Sequence, residues 1–222
     1  MKLAALYSGG KDSTMAAYLM EQGGHSVDRL VNIVPKDRYS WVFHTPNLHL
    51  MPLMAEAMGR ELTSVPSSGE EEDDLRALRR SLEGLDVDGV ITGALASDYQ
   101  WDRINGVCED IGLRTFSPLW RKDQWMLLNE MVDAGIRAII VGTYAEGLGK
   151  EWLGRELDDV SLMELKALAD RYGMNVAGEG GEYETLTLDS PLHLVPLEVV
   201  GTEAMVERDC ARLKVEGRLG RR

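Results

Sequence analysis

Cysteine is scarce in this chain, with two among 222 residues, Cys108 and Cys210. Neither has a CxxC partner or a neighbouring histidine. That excludes a zinc ribbon, a redox pair and a disulfide framework, and leaves both to be read as buried thiols. Long apolar runs are also missing. The most apolar stretches, 89–96 and 138–141, fall far short of the ~20 residues that span a bilayer, so no membrane helix is expected. Positive charge is in deficit: 24 Lys and Arg stand against 37 Asp and Glu, for a formal net charge of −13. Such a balance repels RNA and DNA, and the only dense basic patch is the tail Arg218-Leu219-Gly220-Arg221-Arg222. Direct nucleic-acid binding is therefore not expected. Residues 1–7 carry neither a long apolar region nor a small-residue cleavage site, so a cytoplasmic location is expected.

What is present suffices for one ordinary core, with 44% hydrophobic and 27% charged residues. Short β-rich runs at 2–7, 30–34, 62–65, 88–95, 114–118 and 138–141 alternate with helical spacing at 12–21, 47–58, 102–111 and 123–134. This alternation predicts an α/β fold with a parallel sheet, 138–141 being its last strand. Asn47 is read as the N-cap of the 47–58 helix, which Pro52 weakens or kinks. Ser67-Ser68 is read as the cap of a solvated helix, with acids from Glu70 to Asp74 at its start and Arg76, Arg79 and Arg80 at its end. From Gly142 glycines cluster around a helix at 161–172, for which Ser161 and Glu164 form a capping box. Short strands broken by Pro191 and Pro196 follow. The chain divides into 1–142 and a C-terminal α+β annex, 143–222, by change of role and not by a hinge. The tail from Arg208 is expected to be disordered.

The sharpest motif is Ser8-Gly9-Gly10-Lys11-Asp12-Ser13, set between a buried strand and a helix start. There, backbone N–H groups converge on an anion, and glycines let the main chain approach oxygens that a Cβ would exclude. Lys11 suits phosphate oxygens, Ser8 and Ser13 can donate hydroxyl hydrogen bonds, and the Asp12 carboxylate suits Mg²⁺. Neither GxxxxGK[ST] nor GxGxxG occurs here.

Instead SGGKDS resembles the signature of the PP-loop ATP pyrophosphatases, which split ATP into AMP and pyrophosphate. Further pieces resemble one family within that superfamily, the diphthine-ammonia ligases. They are Phe43-His44-Thr45, the run from Gly93 to Gln100, Trp152-Leu153-Gly154-Arg155, and Gly178-Glu179-Gly180-Gly181-Glu182-Tyr183-Glu184-Thr185. The resemblance runs from Leu3 to about Leu192. It implies an adenine nucleotide alpha hydrolase-like (HUP) fold, a five-stranded, mostly parallel sheet with helices on both faces. It implies ATP and Mg²⁺ as cofactors, with residues 8–13 holding the departing pyrophosphate. The partners it implies are ammonium and translation elongation factor 2, whose diphthine carboxylate would be adenylated and then amidated. A homodimer is left open.

Residue roles follow from the chemistry that such a reaction needs. Gly93, at a strand end, is assigned to the AMP half, or merely permits strand-to-loop packing. Glu182, with Glu179 second, is the candidate base for ammonium. Tyr183 and Glu184 suit the trimethylammonium of diphthine; the whole run also reads as an acidic surface turn. Arg155 beside Trp152 suits an adenylate phosphate or protein substrate, or an aromatic anchor with a surface salt bridge. His44 and Thr45 suit the substrate rim, or His44 is structural. His25, His49 and His193 are read as structural. Rival readings are a PP-loop ligase acting on a tRNA base or a small-molecule carboxylate, and a nucleotide-binding regulator without turnover.

Overall fold

The computed structural model describes residues 1–36 and 47–221. Strands β1 (Lys2–Leu6), β2 (Ser26–Pro35), β3 (Glu61–Ser67), β4 (Gly89–Ile91) and β5 (Arg114–Phe116) form a sheet that is parallel throughout, in the order β3-β2-β1-β4-β5. Between them run α1 (Lys11–Gln22), α2 (Met51–Met58), α3 (Glu71–Leu82) and α4 (Asp98–Asp110). Alternation along β1 explains how both faces are covered. Leu3, Ala5 and Tyr7 pack with Met15, Met54 and Met58 of α1 and α2. Ala4 packs with Leu78, Leu82 and Ile104 of α3 and α4 on the other side. This is the HUP-like arrangement expected from the sequence. The chain builds outward from β1 through β2 to β3, then returns to set β4 on β1's other flank. The carboxyl ends of β1 and β4 thus meet at a switch point, where open α/β sheets hold their ligands.

The remaining elements are α5 (Gln124–Asp133), β6 (Arg137–Thr143), α6 (Asp159–Tyr172), β7 (Tyr183–Asp189), β8 (Leu197–Val206) and β9 (Ala211–Leu219). Their four strands form a second sheet, ordered β7-β6-β9-β8, in which every pairing is antiparallel. This corrects the sequence reading of 138–141 as a parallel strand. An apolar run buried on both sides looks the same in either kind of sheet. It also corrects the expectation of a disordered tail. Ala211, Leu213 and Val215 point inward and are buried, while the exposed Lys214, Glu216 and Arg218 alternate with them. The basic residues are the outer face of a strand.

The local corrections concern helix caps. Asn47 does stand at the N-cap position of a 3-10 turn, Leu48–Leu50, that runs into α2, but its side chain makes no cap hydrogen bond. At φ 70° it sends its amide to Leu213 O at 2.9 Å and accepts Val215 N–H at 2.8 Å, fastening the segment before α2 to β9. α2 itself starts at Met51 with Pro52 in its first turn, where a missing N–H is harmless. Glu70, not Ser67 or Ser68, precedes α3. The capping box of α6 is formed by Asp158 and Ser161, while Glu164 pairs with Arg155. Cys108 is buried and Cys210 is partly exposed. Among the described residues no helix is long and apolar enough to cross a membrane.

One apolar core joins Leu3, Ala5 and Tyr7 of the first sheet to Ile140, Val141 and Leu186 of the second. The two sheets are therefore packed as one body, and Asn47 is a stitch between them. Asn47→Ala should destabilise the chain by about 1–3 kcal/mol in urea unfolding, because it leaves a buried N–H and C=O of β9 unpaired. Asn47→Gly, which accepts the positive φ, should recover no more than about 1 kcal/mol of that loss.

Candidate functional site

The loop of residues 8–13 sits at the switch point for reasons that can be traced residue by residue. Gly9 has φ 83°, a conformation that a side chain would strain, and it turns the chain from β1 into α1. Ser8 and Ser13 join hydroxyls at 3.2 Å across the loop. Gly93, following β4, lies so close that a Cβ there would fall 2.9 Å from Ser13 N and 3.0 Å from Asp12 C. Only glycine lets the loop after β4 rest on the start of α1. The packing reading of Gly93 is thus realised, and the same contact sets the turn after β4 against the loop of residues 8–13.

Lys11 is 3% exposed. Its ammonium donates to Asp12 Oδ2 at 2.8 Å and Ala177 O at 2.7 Å, and stands 5.2 Å from the centre of the Tyr183 ring. The other Asp12 oxygen, Oδ1, is buried with no hydrogen-bond partner among the described residues. The second sheet completes the loop: Thr187 N donates to Gly9 O at 2.8 Å, and Lys11 N donates to Thr185 Oγ1 at 3.1 Å. Beneath runs a chain of buried hydroxyls from Tyr7 through Thr14 to Thr187, with steps of 3.0 and 3.1 Å. Burial pushes the Tyr7 hydroxyl up to about 12, against a lesser opposing pull from Thr14. It stays protonated.

The four residues singled out in this run, Glu179, Glu182, Tyr183 and Glu184, go to four different places. Glu179 reaches across the cleft and accepts from Ala96 N at 2.8 Å and Ser97 N at 3.1 Å, where α4 begins. Burial, with a further push from Asp12, raises its carboxyl above the usual range; the Ala96 and Ser97 N–H groups and Lys11 oppose this in part. Glu182 is committed to its own loop, taking Asn175 N at 2.7 Å and Asn175 Nδ2 at 3.0 Å on one oxygen and Gly180 N at 2.8 Å on the other. Tyr183 is 3% exposed, with its hydroxyl on Val176 O. Burial first, then Asp12 and Glu182, raise that hydroxyl far above its usual range. Its ring already carries Lys11.

Strand alternation sends Glu184 to the opposite face of β7 from Tyr183 and Thr185. There it accepts from the Tyr144 hydroxyl at 3.0 Å, and Arg212 reaches that hydroxyl at 3.4 Å. A cavity of about 690 Å³ opens nearby, lined by Tyr144, Gly147, Lys150, Glu207 and Cys210 among others and by no residue of 8–13. Trp152 is a core residue, 4% exposed. Arg155 lies 4.1 Å over its ring and is paired to Glu164 at 2.7 Å, the anchor-and-bridge arrangement. His44 and Thr45 lie outside the described residues. The other histidines do structural work: His49 meets Val215 O at 2.9 Å and His193 meets Ser190 Oγ at 2.7 Å. Sequence reasoning missed Ala177, Thr185 and the Ala96 and Ser97 N–H groups. Three of these residues, Ala177, Ala96 and Ser97, contribute main-chain groups that no side-chain pattern marks. Thr185, by contrast, stands at the end of the quoted glycine-rich run, two residues after Tyr183 and so on its face.

The chain was compared with known proteins. The sequence model for the diphthamide synthase N-terminal domain matches residues 1–115, and that for the diphthamide synthase C-terminal domain matches residues 123–217. A protein of Danio rerio named diphthine--ammonia ligase is 37% identical over 233 residues, covering 95% of this chain and 91% of that protein. The Homo sapiens protein of the same name is 35% identical over 229 residues, covering 93% and 85%. A solved structure described as a predicted subunit of tRNA methyltransferase, from Methanocaldococcus jannaschii, covers 86% of this chain and 98% of its own with a TM-score of 0.50. At 13% identity it shows the fold alone. With both halves matched by that pair of domain models and a vertebrate relative aligned along nearly the full length, this chain belongs to the diphthamide synthase family.

Proposed function

We propose that this protein is the AMP-forming ligase that amidates diphthine, using ATP and ammonium, on translation elongation factor 2. The family carries the reaction class, and one observation carries the site: a buried lysine in a phosphate loop at the switch point, next to an uncommitted carboxylate oxygen. The diphthine carboxylate attacks the α-phosphorus of ATP, pyrophosphate leaves, and an acyl-adenylate forms. Ammonium gives one proton to a base, ammonia attacks the acyl carbon, and AMP departs as the nitrogen loses a second proton. Lys11 and the N–H groups at the start of α1 hold the negative charge that gathers on the leaving pyrophosphate. The first sheet holds the nucleotide, and the loop from Gly178 to Glu182 faces the acceptor.

Glu179 is the better base. Its carboxyl stands beside the phosphate loop with a raised proton affinity, whereas three donors occupy Glu182. The Asp12 carboxylate fits Mg²⁺. No group of three or more acidic, His or Cys residues forms a cage among the described residues, and Mg²⁺ is commonly held by one or two carboxylates plus substrate phosphates. When bound, it would neutralise phosphate charge.

Incubating the protein with diphthine-bearing elongation factor 2, ATP and ammonium should yield AMP together with a mass change of carboxylate to amide; AMP without the amide would redirect the substrate assignment. Lys11→Met, which keeps the volume, should lower AMP formation by at least about a hundredfold. Glu179→Gln should slow amide formation more than ATP–pyrophosphate exchange, and equal losses would remove Glu179 as the base. The same variant has a pH signature. A raised folded-state carboxyl stabilises at low pH and loses that contribution as pH rises through its folded value, so the wild type should lose melting temperature across this window relative to Glu179→Gln.

A further inference from the structure

Thr185 is 6% exposed and belongs to the second sheet, yet its hydroxyl lies inside the phosphate loop. It accepts the Lys11 N–H, one of the α1 first-turn donors that would otherwise point at an anion. A threonine hydroxyl has a proton to give as well as lone pairs to offer. Among the described residues nothing takes that proton. The nearby carbonyl of Gly10 is already filled, since Thr14 N at 3.2 Å, Ser13 Oγ at 3.1 Å and Thr14 Oγ1 at 2.9 Å all donate to it. Two residues along the same face, Thr187 shows the contrast, with its hydroxyl tied to Thr14 Oγ1 at 3.1 Å.

We propose that Thr185 is a phosphate-binding residue, donating its hydroxyl proton to the pyrophosphoryl end of ATP. The inference rests on the reading of residues 8–13 as the pyrophosphate site. A hydroxyl that accepts from a helix N-terminus is polarised by it and becomes a stronger donor. It therefore relays the positive end of α1 outward, to a phosphate oxygen that the Lys11 N–H no longer reaches directly. Because the hydroxyl stands on the loop that grips the leaving group, its contribution falls on pyrophosphate and ATP and spares AMP.

Calorimetric titration of the full chain with pyrophosphate and, separately, with AMP, both with Mg²⁺, tests this. Thr185→Val should weaken pyrophosphate about tenfold and leave AMP within about twofold, the loss of one hydrogen bond to a charged group. Thr185→Ser should restore pyrophosphate to within about threefold of the wild type. Should the valine variant fail to fold, Thr185→Ala leaves room for a water on the Lys11 N–H and reads the same contrast. Unchanged pyrophosphate affinity in the variant, or an equal loss for AMP, overturns the proposal while leaving the phosphate-loop assignment standing. A wild type that binds neither probe overturns both.

Discussion

An ammonium removed from water must find acceptors at fixed positions, because leaving a charge without them inside a protein costs several kcal/mol. Only part of what surrounds Lys11 comes from its own loop. Asp12 takes one hydrogen bond, while Ala177 O and the Tyr183 ring reach it from the C-terminal part of the chain. Much of the architecture can be read as the means of meeting that requirement. β6 sits in the second sheet so that β7 can lie along Gly9 and Lys11, and β9 is held to the segment before α2 by Asn47. The glycine-rich run beyond α6 is then the span that carries Ala177, Glu179 and Tyr183 to the cleft.

Glu179 closes the cleft from the opposite side. Two main-chain N–H groups at the start of α4 hold its carboxylate in place, so its position does not depend on a mobile partner side chain. Its neighbours Asp12 and Lys11 act on it in opposite senses, and burial tips the outcome toward the proton. A carboxyl in such surroundings holds its position while its proton affinity is raised. Glu182, three residues further on, holds the Asn175 and Gly180 N–H groups and so shapes the turn that carries Glu179.

The sequence disclosed what depends on local chemistry. The loop at 8–13, its flanking strand and helix, and both faces of β1 were legible because glycine, lysine and period-two apolar spacing each have few alternative uses. What it hid were long-range matters. A doubly buried run such as Ile139, Ile140 and Val141 carries no mark of strand direction, so β6 was assigned to the wrong sheet. The basic stretch from Arg208, dense at Arg218-Leu219-Gly220-Arg221-Arg222, suggested a loose tail because its charge drew the eye from the apolar Ala211, Leu213 and Val215. The role of Tyr183 shifted for a similar reason. An aromatic beside carboxylates suits a cationic ligand, and the cation it meets is a lysine of this same chain.

The order in which these groups are synthesised bears on the biology of the cleft. Thr185 follows Lys11 by 174 residues and Ala177 follows it by 166, so the earliest-made part of the site waits for some of the last-made parts. A nascent polypeptide emerging from the ribosome would carry a finished glycine turn and an unfinished cradle, with its lysine still hydrated. Closure across such a span is slow to nucleate. Products that stop before Ala177 would leave the Lys11 ammonium without Ala177 O or the Tyr183 ring, and the Lys11 N–H without Thr185 Oγ1.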